Sequence, residues 1–327
     1  MKALVTGAAG FIGSTLVDRL LGDGHDVVGV DCFTDYYDEG AKRRNLATAH
    51  ESDRFELLEA DLRTADLVPM LADVDVVFHG AGQPGVRLSW DAGFGIYETC
   101  NVLATQRLLE AARRTGLRRM VYASSSSIYG NAVRYPVTED LVPAPHSPYG
   151  VTKLAAEHLC GLYAANYDVS VVSLRYFTVY GPRQRPDMAI HRLIEAGLSG
   201  TAFPLYGDGS QVRDFTFVDD VVSANVLAAE ADVAAGTVMN VCAGGSTRMT
   251  DLIDAVGRAV GEPVRLDHLP EQPGDVQRTG GDGSRAAALL GWRPSCRLED
   301  GIERQVDWHR RIRADAAAPL SVDASSR

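Results

Sequence analysis

A tyrosine and a lysine four residues apart, Tyr149 and Lys153, are the residues of this chain best suited to do chemistry. They follow a proline-rich loop and begin a segment that reads as a helix, where this spacing places both side chains on one face, about 6 Å apart. A cation beside a phenol stabilises the phenolate and lowers a pKa that is about 10 when unperturbed. Such a tyrosine can remove a hydroxyl proton at neutral pH while hydride leaves the same carbon. The pair therefore predicts oxidation or reduction at an alcohol carbon.

A serine run after an apolar segment could complete this site. The segment Met120–Ala123 reads as a strand and opens onto Ser124–Ser127. A hydroxyl close to the phenol would bind the alcohol or ketone oxygen of the substrate, and we select Ser125 for this role. The alternatives are a simple polar loop and an inert pair on an exposed helix, because the Tyr-x-x-x-Lys spacing alone is common by chance. The assignment therefore depends on what the rest of the chain provides.

The chain opens on an apolar segment, Ala3–Val5, followed by glycines at regular spacing. Gly7 permits a tight turn, Gly10 lets the backbone approach a pyrophosphate at a helix N-terminus, and Gly13 lets that helix pack closely on the strand. The spacing is G-x-x-G-x-x-G and differs from the G-x-G-x-x-G of most dehydrogenases. The segment predicts a dinucleotide-binding turn, with a plain strand-to-helix turn as the alternative.

Acidic residues at the ends of the next strands indicate which dinucleotide binds. The strand Val27–Val30 ends in Asp31, roughly 20 residues beyond the glycines, where a carboxylate can bind both hydroxyls of an adenosine ribose. Asp31 would repel a 2′-phosphate, so NAD is favoured over NADP. Asp61 follows the third strand, Phe55–Glu59, and is a candidate partner for the adenine amino group. Lys42–Arg44 are expected to form a solvated basic face, or to place one side chain beside the adenine.

Strands and helices alternate from the glycine turn to the strand Val169–Arg175, and this alternation predicts a doubly wound α/β fold. Ligands of such folds bind at the carboxyl ends of the parallel strands. We therefore predict a parallel Rossmann sheet with a smaller C-terminal α/β domain for the substrate. The predicted boundaries are an NAD-binding domain over 1–177 and about 213–242, a substrate domain over 178–212 and 243–312, and a disordered tail over 313–327.

Composition limits the classes of protein and partner that need to be considered. The 327 residues are 46% apolar and 23% charged, which is ordinary for a globular enzyme. A net charge of −11 argues against a nucleic-acid partner. The five cysteines lack the spacing of metal ligands, so we predict no metal site and expect reduced thiols. The sequence shows neither a signal peptide nor a bilayer-spanning run, so we expect a cytoplasmic protein with no membrane partner.

Together these motifs resemble those of the extended short-chain dehydrogenase/reductase family and, within it, of the nucleotide-sugar 4-epimerases. The resemblance extends from Met1 to about Arg311. It implies a tightly held NAD, a UDP-sugar as the substrate, and a homodimer packed through the helices near 93–115 and 149–167. The matching residues are Gly7, Gly10, Gly13, Asp31, Asp61, Asn101, the serine run with Tyr129 and Gly130, Tyr149, Lys153, Tyr206–Gly209, Arg213–Phe215 and Pro273–Val276.

The residues above and the resemblance together assign side chains to the two ligands. Arg213 and Asp275 are implied to lie near the phosphates and ribose of the nucleotide, and Arg185 near the UDP group. The cofactor-binding residues are expected to be Gly7, Gly10, Phe11, Ile12, Gly13, Asp31, Asp61, Leu62, Ala81, Gly82, Asn101, Tyr149, Lys153 and Tyr176. The substrate-binding residues are expected to be Arg87, Ser125, Ser126, Ser127, Tyr149, Thr178, Arg185, Arg213 and Asp275.

Two serines indicate which outcome the resemblance implies. At the positions of Ser126 and Ser127, dehydratases of this family have a pair of acids and UDP-glucuronate decarboxylases have a glutamate. A serine is neither a strong acid nor a strong base, so elimination lacks its proton shuttle. Oxidation at C4 followed by return of the hydride to the other face of a transient 4-keto sugar remains, which is epimerisation.

The sugar is indicated by two stretches, Asp31–Asp38 and Gln83–Arg87, that resemble UDP-glucuronate 4-epimerases. Thr178 stands where many neutral-sugar epimerases have asparagine. Together with Arg87 and the two serines, it could bind a C5 carboxylate. The expected reaction converts UDP-glucuronate to UDP-galacturonate. The alternatives are UDP-glucose 4-epimerisation, decarboxylation, reduction with NAD(P)H as a co-substrate, and NAD sensing without catalysis.

Overall fold

A parallel sheet of seven strands forms the centre of the protein. The computed structural model describes residues 1–270 and 274–317. Across the sheet the strands follow the order β11-β6-β5-β4-β1-β2-β3, and every neighbouring pair is parallel. The predicted doubly wound sheet is confirmed, with its switch point between β1 and β4. The strands are β1 (Lys2–Thr6), β2 (Asp26–Asp31), β3 (Phe55–Glu59), β4 (Val76–His79), β5 (Arg119–Ser125), β6 (Val171–Tyr176), β7 (Thr178–Tyr180), β8 (Ala202–Tyr206), β9 (Val212–Arg213), β10 (Phe215–Phe217), β11 (Val238–Val241), β12 (Thr247–Arg248) and β13 (Arg265–Leu269).

Helices cover both faces of this sheet and build the C-terminal part of the chain. Within the described residues, none of them combines the length and the apolar character needed to cross a membrane. The helices are α1 (Phe11–Gly22), α2 (Glu39–Asn45), α3 (Leu67–Leu71), α4 (Phe94–Tyr97), α5 (Ala104–Thr115), α6 (Pro148–Tyr167), α7 (Ala189–Ser199), α8 (Val218–Glu230), α9 (Met249–Val260), α10 (Ser284–Leu290) and α11 (Leu298–Ala317).

Alternation along the strands divides the core into two layers. In β1, Ala3 and Val5 face the layer that contains α1 and α8, whereas Leu4 faces the layer of α3, α5 and α6. Side chains of a strand point alternately to opposite faces, so both layers are filled from the same strands. Leu4 is 1% exposed, and burying such a side chain contributes about 1.5–3 kcal/mol to stability. This packing fixes the carboxyl ends of the strands, where the candidate site lies.

The helix predicted over 93–115 is not one continuous α-helix. A π-helical stretch, Glu98–Leu103, separates α4 from α5. A π turn adds a residue to each turn and shifts the side chains that follow onto another face, which a regular apolar period does not reveal. Leu103, at the end of this stretch, is accordingly exposed, whereas Leu108 and Leu109 on α5 are buried.

The C-terminal part is built around three mutually packed helices, α7, α9 and α11, with β8 and β13 paired in parallel beside them. β11 leaves this part and joins the edge of the main sheet against β6. Two further pairs of short strands are formed by β7 with β10, which are parallel, and by β9 with β12, which are antiparallel. The domain boundaries given above stay a prediction.

The tail predicted to be disordered over 313–327 is helical in the part that the structure describes. Residues 313–317 continue α11, and residues 318–327 lie outside the described residues. Arg313 donates to Glu195 of α7 over 3.0 Å, which ties this last turn to the preceding helices. The polar, alanine-rich composition concealed the helix end, because alanine is also the best helix former.

Candidate active site

The glycine turn after β1 is shaped by direct contact between backbones. Gly7 has φ +70°, and a Cβ there would lie 2.9 Å from the amide nitrogen of Ala81. A Cβ at Gly13 would lie 2.0 Å from the carbonyl oxygen of Gly7, so the helix packs on the turn as predicted. Gly10 precedes α1 and offers no side-chain cap. The first amide groups of α1 and the positive end of its dipole are therefore free for a phosphate.

One cavity at the carboxyl ends of β1, β2, β4 and β5 brings the predicted cofactor residues together. All fourteen of them line it, from Gly7 at one end to Tyr149, Lys153 and Tyr176 at the other. The cavity also has side chains that sequence reasoning missed or left open. Lys42 is buried and holds the Thr34 carbonyl, so it belongs to this wall and not to a solvated face. The further side chains include Cys32, Tyr37, Arg63, Gln83 and Cys100.

Asp31 and Asp61 enter the cavity with different partners. The Asp31 carboxylate accepts from the backbone N–H groups of Ala9 at 3.0 Å and Phe33 at 2.9 Å, which fixes it beside the glycine turn. Asp61 accepts from the guanidinium of Arg63 at 2.7–3.0 Å. These hydrogen bonds hold the pKa of Asp61 below its ordinary value. Both carboxylates are therefore oriented, and a ribose with a free 2′-hydroxyl fits beside Asp31 better than a phosphate does.

Asn101 links the loop after β4 to the helix that carries the tyrosine. Its side chain accepts from the N–H of Gln83 at 2.7 Å and donates to the Gln83 carbonyl at 3.1 Å. It also donates to the hydroxyl of Thr152 at 3.0 Å, and Thr152 lies on α6 next to Lys153. Asn101 can make these contacts from the π-helical stretch, which places it on the cavity side. The network holds the wall of the cavity and the start of α6 in a fixed relation.

His79, at the end of β4, is hydrogen-bonded through both ring nitrogens. Nδ1 lies 2.8 Å from the hydroxyl of Thr6, and Nε2 lies 2.9 Å from the hydroxyl of Thr105. Burial, with a smaller effect of Lys153, lowers the pKa of His79 to about 3. A neutral, fully bonded imidazole of this kind supports the adjoining strands and does not transfer protons at neutral pH.

Tyr149 and Lys153 lie on the first turns of α6. Ser147 caps this helix by accepting from the N–H of Gly150 at 3.1 Å. Burial raises the pKa of Tyr149, while the side chain of Ser125 and the guanidinium of Arg185 act to lower it. Burial lowers the pKa of Lys153 to about 8. A proton can therefore leave Lys153 far more easily than it leaves an exposed lysine.

A second cation, Arg185, acts on Tyr149, and the expected effect of Lys153 stays a prediction. The ammonium of Lys153 lies 4.6 Å from the ring centre of Tyr122, above its face. The guanidinium of Arg185 lowers the pKa of Tyr149. Arg185 lies in the loop after β7 and is 36 residues away in the sequence, so helical spacing gave no signal for it. It lines the cavity together with Tyr149.

A buried ion pair lies behind the serine run. Glu157 accepts from Arg175 at 2.6 and 3.0 Å and from the hydroxyl of Ser124 at 2.6 Å. Arg175 also donates to the hydroxyl of Tyr129 at 2.6 Å. Both charged side chains are 6% exposed. The network joins α6, β5 and β6 directly below the predicted catalytic residues and is satisfied on every side.

The lining of the cofactor cavity includes Ser124 but does not include Ser125–Ser127 or Thr178. β5 and β6 are in parallel register with Ser125 opposite Tyr176. Beyond these residues, Ser126–Tyr129 form a 3₁₀ turn and Thr178 begins β7, and Ser127 and Thr178 are both partly exposed. The serine run and Thr178 therefore follow two neighbouring strands that end at the same edge of the sheet.

Three residues predicted for the substrate are grouped at another edge. Arg87 forms an ion pair with Asp275 at 2.8 Å and lies 4.3 Å from the ring centre of Tyr206. Burial lowers the pKa of Arg213, while Asp275 opposes this shift. Arg87 thus lies with the residues expected near UDP, which favours a role on the nucleotide over the expected role on a sugar carboxylate. Pro273, which belongs to the same sequence motif, is outside the described residues.

Arg185 is oriented by a carboxylate. It donates to both oxygens of Asp187 at 3.0 Å, and Asp187 also accepts from the hydroxyl of Tyr36 at 3.3 Å. Tyr36 belongs to the loop after Asp31. The loop after β2 and the loop after β7 therefore meet over the cavity and position the guanidinium near Tyr149.

Known proteins of similar sequence and structure match almost the whole chain. A family model described as NAD dependent epimerase/dehydratase matches residues 3–242. A UDP-glucose 4-epimerase of Mycolicibacterium smegmatis is 42% identical over 316 residues, covering 95% of this chain and 99% of the relative. The structure of a UDP-glucuronic acid 4-epimerase from Bacillus cereus with UDP-glucuronic acid and NAD matches with TM-score 0.93 and 42% identity, covering 95% of this chain and all of that one. MoeE5, solved with UDP-glucose and NAD, matches with TM-score 0.86 and 44% identity, covering 95% and 99%. A second MoeE5 structure contains UDP-glucuronic acid and NAD.

Proposed function

The chain belongs to the NAD-dependent epimerase/dehydratase family, and we propose that this UDP-sugar 4-epimerase acts on UDP-glucuronate and forms UDP-galacturonate. The observation that carries the choice of sugar is the register of β5 and β6, which pairs Ser125 with Tyr176, so that Ser126, Ser127 and Thr178 follow two strands that end at the same edge of the sheet. Hydroxyl groups in such a cluster can donate to both oxygens of a carboxylate. The Bacillus cereus neighbour solved with UDP-glucuronic acid supports the same choice.

The reaction requires a proton acceptor and a group that holds the sugar oxygen. Tyr149 takes the proton of the C4 hydroxyl, and the hydroxyl of Ser125 binds the same oxygen. Bound NAD⁺ accepts the hydride of C4 and returns it after the sugar has turned. Lys153 holds the ribose next to the nicotinamide, and Arg185 stabilises the phenolate of Tyr149. When the hydride returns to the other face, Tyr149 gives its proton back to the oxygen, and the net change is inversion at C4.

The serine run favours epimerisation over elimination. Ser126 and Ser127 have no acidic side chain that could shuttle a proton from the sugar ring. A 4-keto sugar formed here is therefore reduced again. Serines at these two positions also disfavour the decarboxylase alternative, since that reaction uses a glutamate in the family motif.

A 4-keto uronate is a β-keto acid, and it loses CO₂ when the bond from C5 to the carboxylate aligns with the π system of the ketone. An epimerase must hold that bond nearer the plane of the carbonyl. Hydroxyl donors on both carboxylate oxygens, from Ser126, Ser127 and Thr178, provide such a restraint. We infer that the cluster preserves the carboxylate as well as recognising it.

The test of this function is to incubate the NAD-loaded protein with UDP-glucuronate, without added NAD, and to identify the products by proton NMR. We expect UDP-galacturonate as the main product. A product that is mainly UDP-pentose, or no turnover, would contradict the proposal.

Thr178→Val removes one hydroxyl and keeps the shape, so it should lower turnover of UDP-glucuronate and increase the UDP-pentose fraction. Thr201→Val, at an exposed threonine, is the matched control.

UDP-glucose 4-epimerisation is the second candidate. The Mycolicibacterium smegmatis relative has this name, and MoeE5 has been solved with either sugar nucleotide. The threonine at position 178 argues against it, because many neutral-sugar epimerases of this family have asparagine there. Comparing kcat/KM for the two substrates decides between them, and a higher value for UDP-glucose would overturn our choice.

We also propose that the chain forms a homodimer through α5 and α6. Exposed apolar side chains on and beside these helices support this, among them Leu103, Val151 and Leu162. Size-exclusion chromatography with light scattering should give the mass of two chains, and Leu162→Glu should give one. Leu289→Glu, at an exposed leucine on α10, is the matched control and should leave the mass unchanged. A wild-type mass of one chain would exclude the dimer.

A further inference from the structure

Two histidines and a glutamate from distant parts of the sequence meet between α7 and α11. His191, Glu195 and His309 each offer one ligand atom, and these atoms lie within 4.8 Å of one another. His191 and Glu195 are one turn apart on α7, whereas His309 comes from α11 and is fully buried. We propose that this cluster binds a divalent cation of the Zn²⁺ type, with the two imidazoles and the carboxylate as protein donors.

The imidazole of His191 is oriented as a metal ligand is. Its Nδ1 lies 2.8 Å from the carbonyl oxygen of Gln184. A carbonyl oxygen can only accept, so Nδ1 has the proton and Nε2 keeps a free lone pair. Histidines that bind metals commonly donate their other N–H to a backbone carbonyl in this manner, which fixes the tautomer and the direction of the ring.

The imidazole of His309 has a nitrogen that the described protein atoms leave without a partner. Nδ1 lies 2.6 Å from Oε1 of Glu195, and Nε2 is buried with no hydrogen bond to any described residue. The rings of His309 and His191 meet edge to face, with their centres 4.4 Å apart. Because Nδ1 is the nitrogen that faces Glu195, it is the candidate ligand atom of this ring, and an ion between Nδ1 and Oε1 would replace their hydrogen bond.

The negative charge of Glu195 favours a cation in this cluster, whereas the positive charge of Arg313 opposes one. Arg313 donates to Oε2 of Glu195 at 3.0 Å, and a cation would have to bind despite the repulsion from this positive charge. Glu195 is partly exposed, so water can complete the coordination.

The cluster is connected to the loop that carries Arg185. Gln184 accepts from the N–H of His191 at 3.0 Å and from the side chain of Gln305 at 2.9 Å, and Arg185 follows it in the chain. A cation here would join α7, α11 and this loop. Its expected effect is stabilisation of the C-terminal part, with no part in the hydride transfer.

The experiment uses the untagged, NAD-loaded protein, stripped of metal with a chelator and titrated with ZnCl₂ by calorimetry. We expect one Zn²⁺ per chain and a melting temperature raised by a few degrees. Trp308 should report the binding by a change in fluorescence, because its ring centre is 4.9 Å from that of His309. His191→Gln, Glu195→Gln and His309→Gln should each weaken binding at least about tenfold.

His268→Gln, at an exposed histidine of β13, is the matched control and should bind Zn²⁺ like the wild type. If His309→Gln does not fold, the two variants at the partly exposed positions 191 and 195 still decide the question. Wild-type protein that binds no stoichiometric Zn²⁺ would overturn the proposal. So would affinity that is undiminished in His191→Gln and Glu195→Gln, since the ion would then lie elsewhere, for instance on the exposed thiol of Cys32. These readouts are independent of which sugar is epimerised.

Discussion

The cofactor cavity and the substrate side of this protein are held together in different ways. Around the cavity, backbone atoms are in direct contact with other backbone atoms. The turn at Gly7 packs against Ala81, and Gly13 packs against the carbonyl group of Gly7. On the substrate side, the polar groups are charged side chains that pair with each other. Arg87 binds Asp275 across 188 positions of the sequence, and Arg185 binds Asp187.

This difference suits two ligands that stay bound for different lengths of time. Contacts between backbones cannot rearrange cheaply, so the NAD site is preformed and suits a cofactor that stays bound. Partly exposed ion pairs contribute only about 0–1 kcal/mol each. A diphosphate can therefore replace Asp275 as the partner of Arg87 at little cost, which suits a substrate that must enter and leave in every turnover.

The sharpest test of the comparison separates turnover from cofactor binding. Tyr149→Phe removes the proton acceptor and leaves the backbone of the cavity intact, so we expect kcat to fall by about 10²–10⁴-fold. The NAD content, measured by absorbance after denaturation, should match that of the wild type. Tyr163→Phe, on the same helix but hydrogen-bonded to Glu110, is the control and should keep its activity. Loss of NAD from Tyr149→Phe would mean that the phenol holds the cofactor and that the two regions are not separable.

The buried pair behind the site should matter more for stability than the exposed pairs. Glu157→Gln leaves the buried guanidinium of Arg175 without its counter-charge, and breaking such a pair costs about 3–5 kcal/mol. Asp219→Asn removes an exposed pair with Arg304 and should cost less than about 1 kcal/mol. Urea unfolding of both variants measures the difference. Equal free energies of unfolding would show that burial does not distinguish these pairs.

A methyl group in the glycine turn tests whether the cavity is preformed. Gly13→Ala places a Cβ against the Gly7 carbonyl, and we expect a loss of about 1–3 kcal/mol together with weaker NAD binding. Gly22→Ala is the matched control in the same helix, because a Cβ there meets nothing within 4 Å. It should be neutral or stabilising by about 0.4–1 kcal/mol. Full NAD occupancy in Gly13→Ala would show that the turn can adapt.

The smallest change in stability is expected on the substrate side. Asp275→Asn removes the partner of Arg87, and the free energy of unfolding should stay within about 1 kcal/mol of the wild type. KM for the UDP-sugar should rise several-fold, since Asp275 is also expected to contact the nucleotide. A large loss of stability with unchanged KM would assign this residue to the fold and contradict the comparison.

The cofactor half was predictable because its signals are local. The turn at Gly7–Gly13, the acid at Asp31 and the pair Tyr149 and Lys153 each lie within a single strand-to-helix unit, so their spacing already determines their relative positions. Every residue predicted for the cofactor lines the one cavity. Asn101 differs from these residues, because its role at the cofactor was expected from the resemblance alone. The π-helical stretch that places it at the cavity has no periodic pattern in the sequence.

The substrate side was less predictable because its contacts join remote segments. Nothing in the spacing of Arg185, Asp187 and Tyr36 indicates that they meet, and helical spacing gives no signal for Arg185 as a further cation beside Tyr149. The cluster of His191 and His309 was concealed for the same reason, since the two histidines are 118 positions apart. Local patterns determine elements, whereas tertiary packing determines which of their exposed polar groups become neighbours.

The pairing of β6 with β11 has a consequence for how such proteins can diversify. The two strands are parallel, with Val241 opposite Tyr176 and Val238 opposite Ser173, so the chain leaves β6 at its carboxyl end and must cross the sheet before it begins β11. The intervening 61 residues include α8, which packs against α1 and β5, and they include Arg185 and Asn225, which line the cavity. An exchange of this whole excursion between relatives would therefore also replace part of the wall that holds NAD, so sugar preference cannot be grafted with it alone.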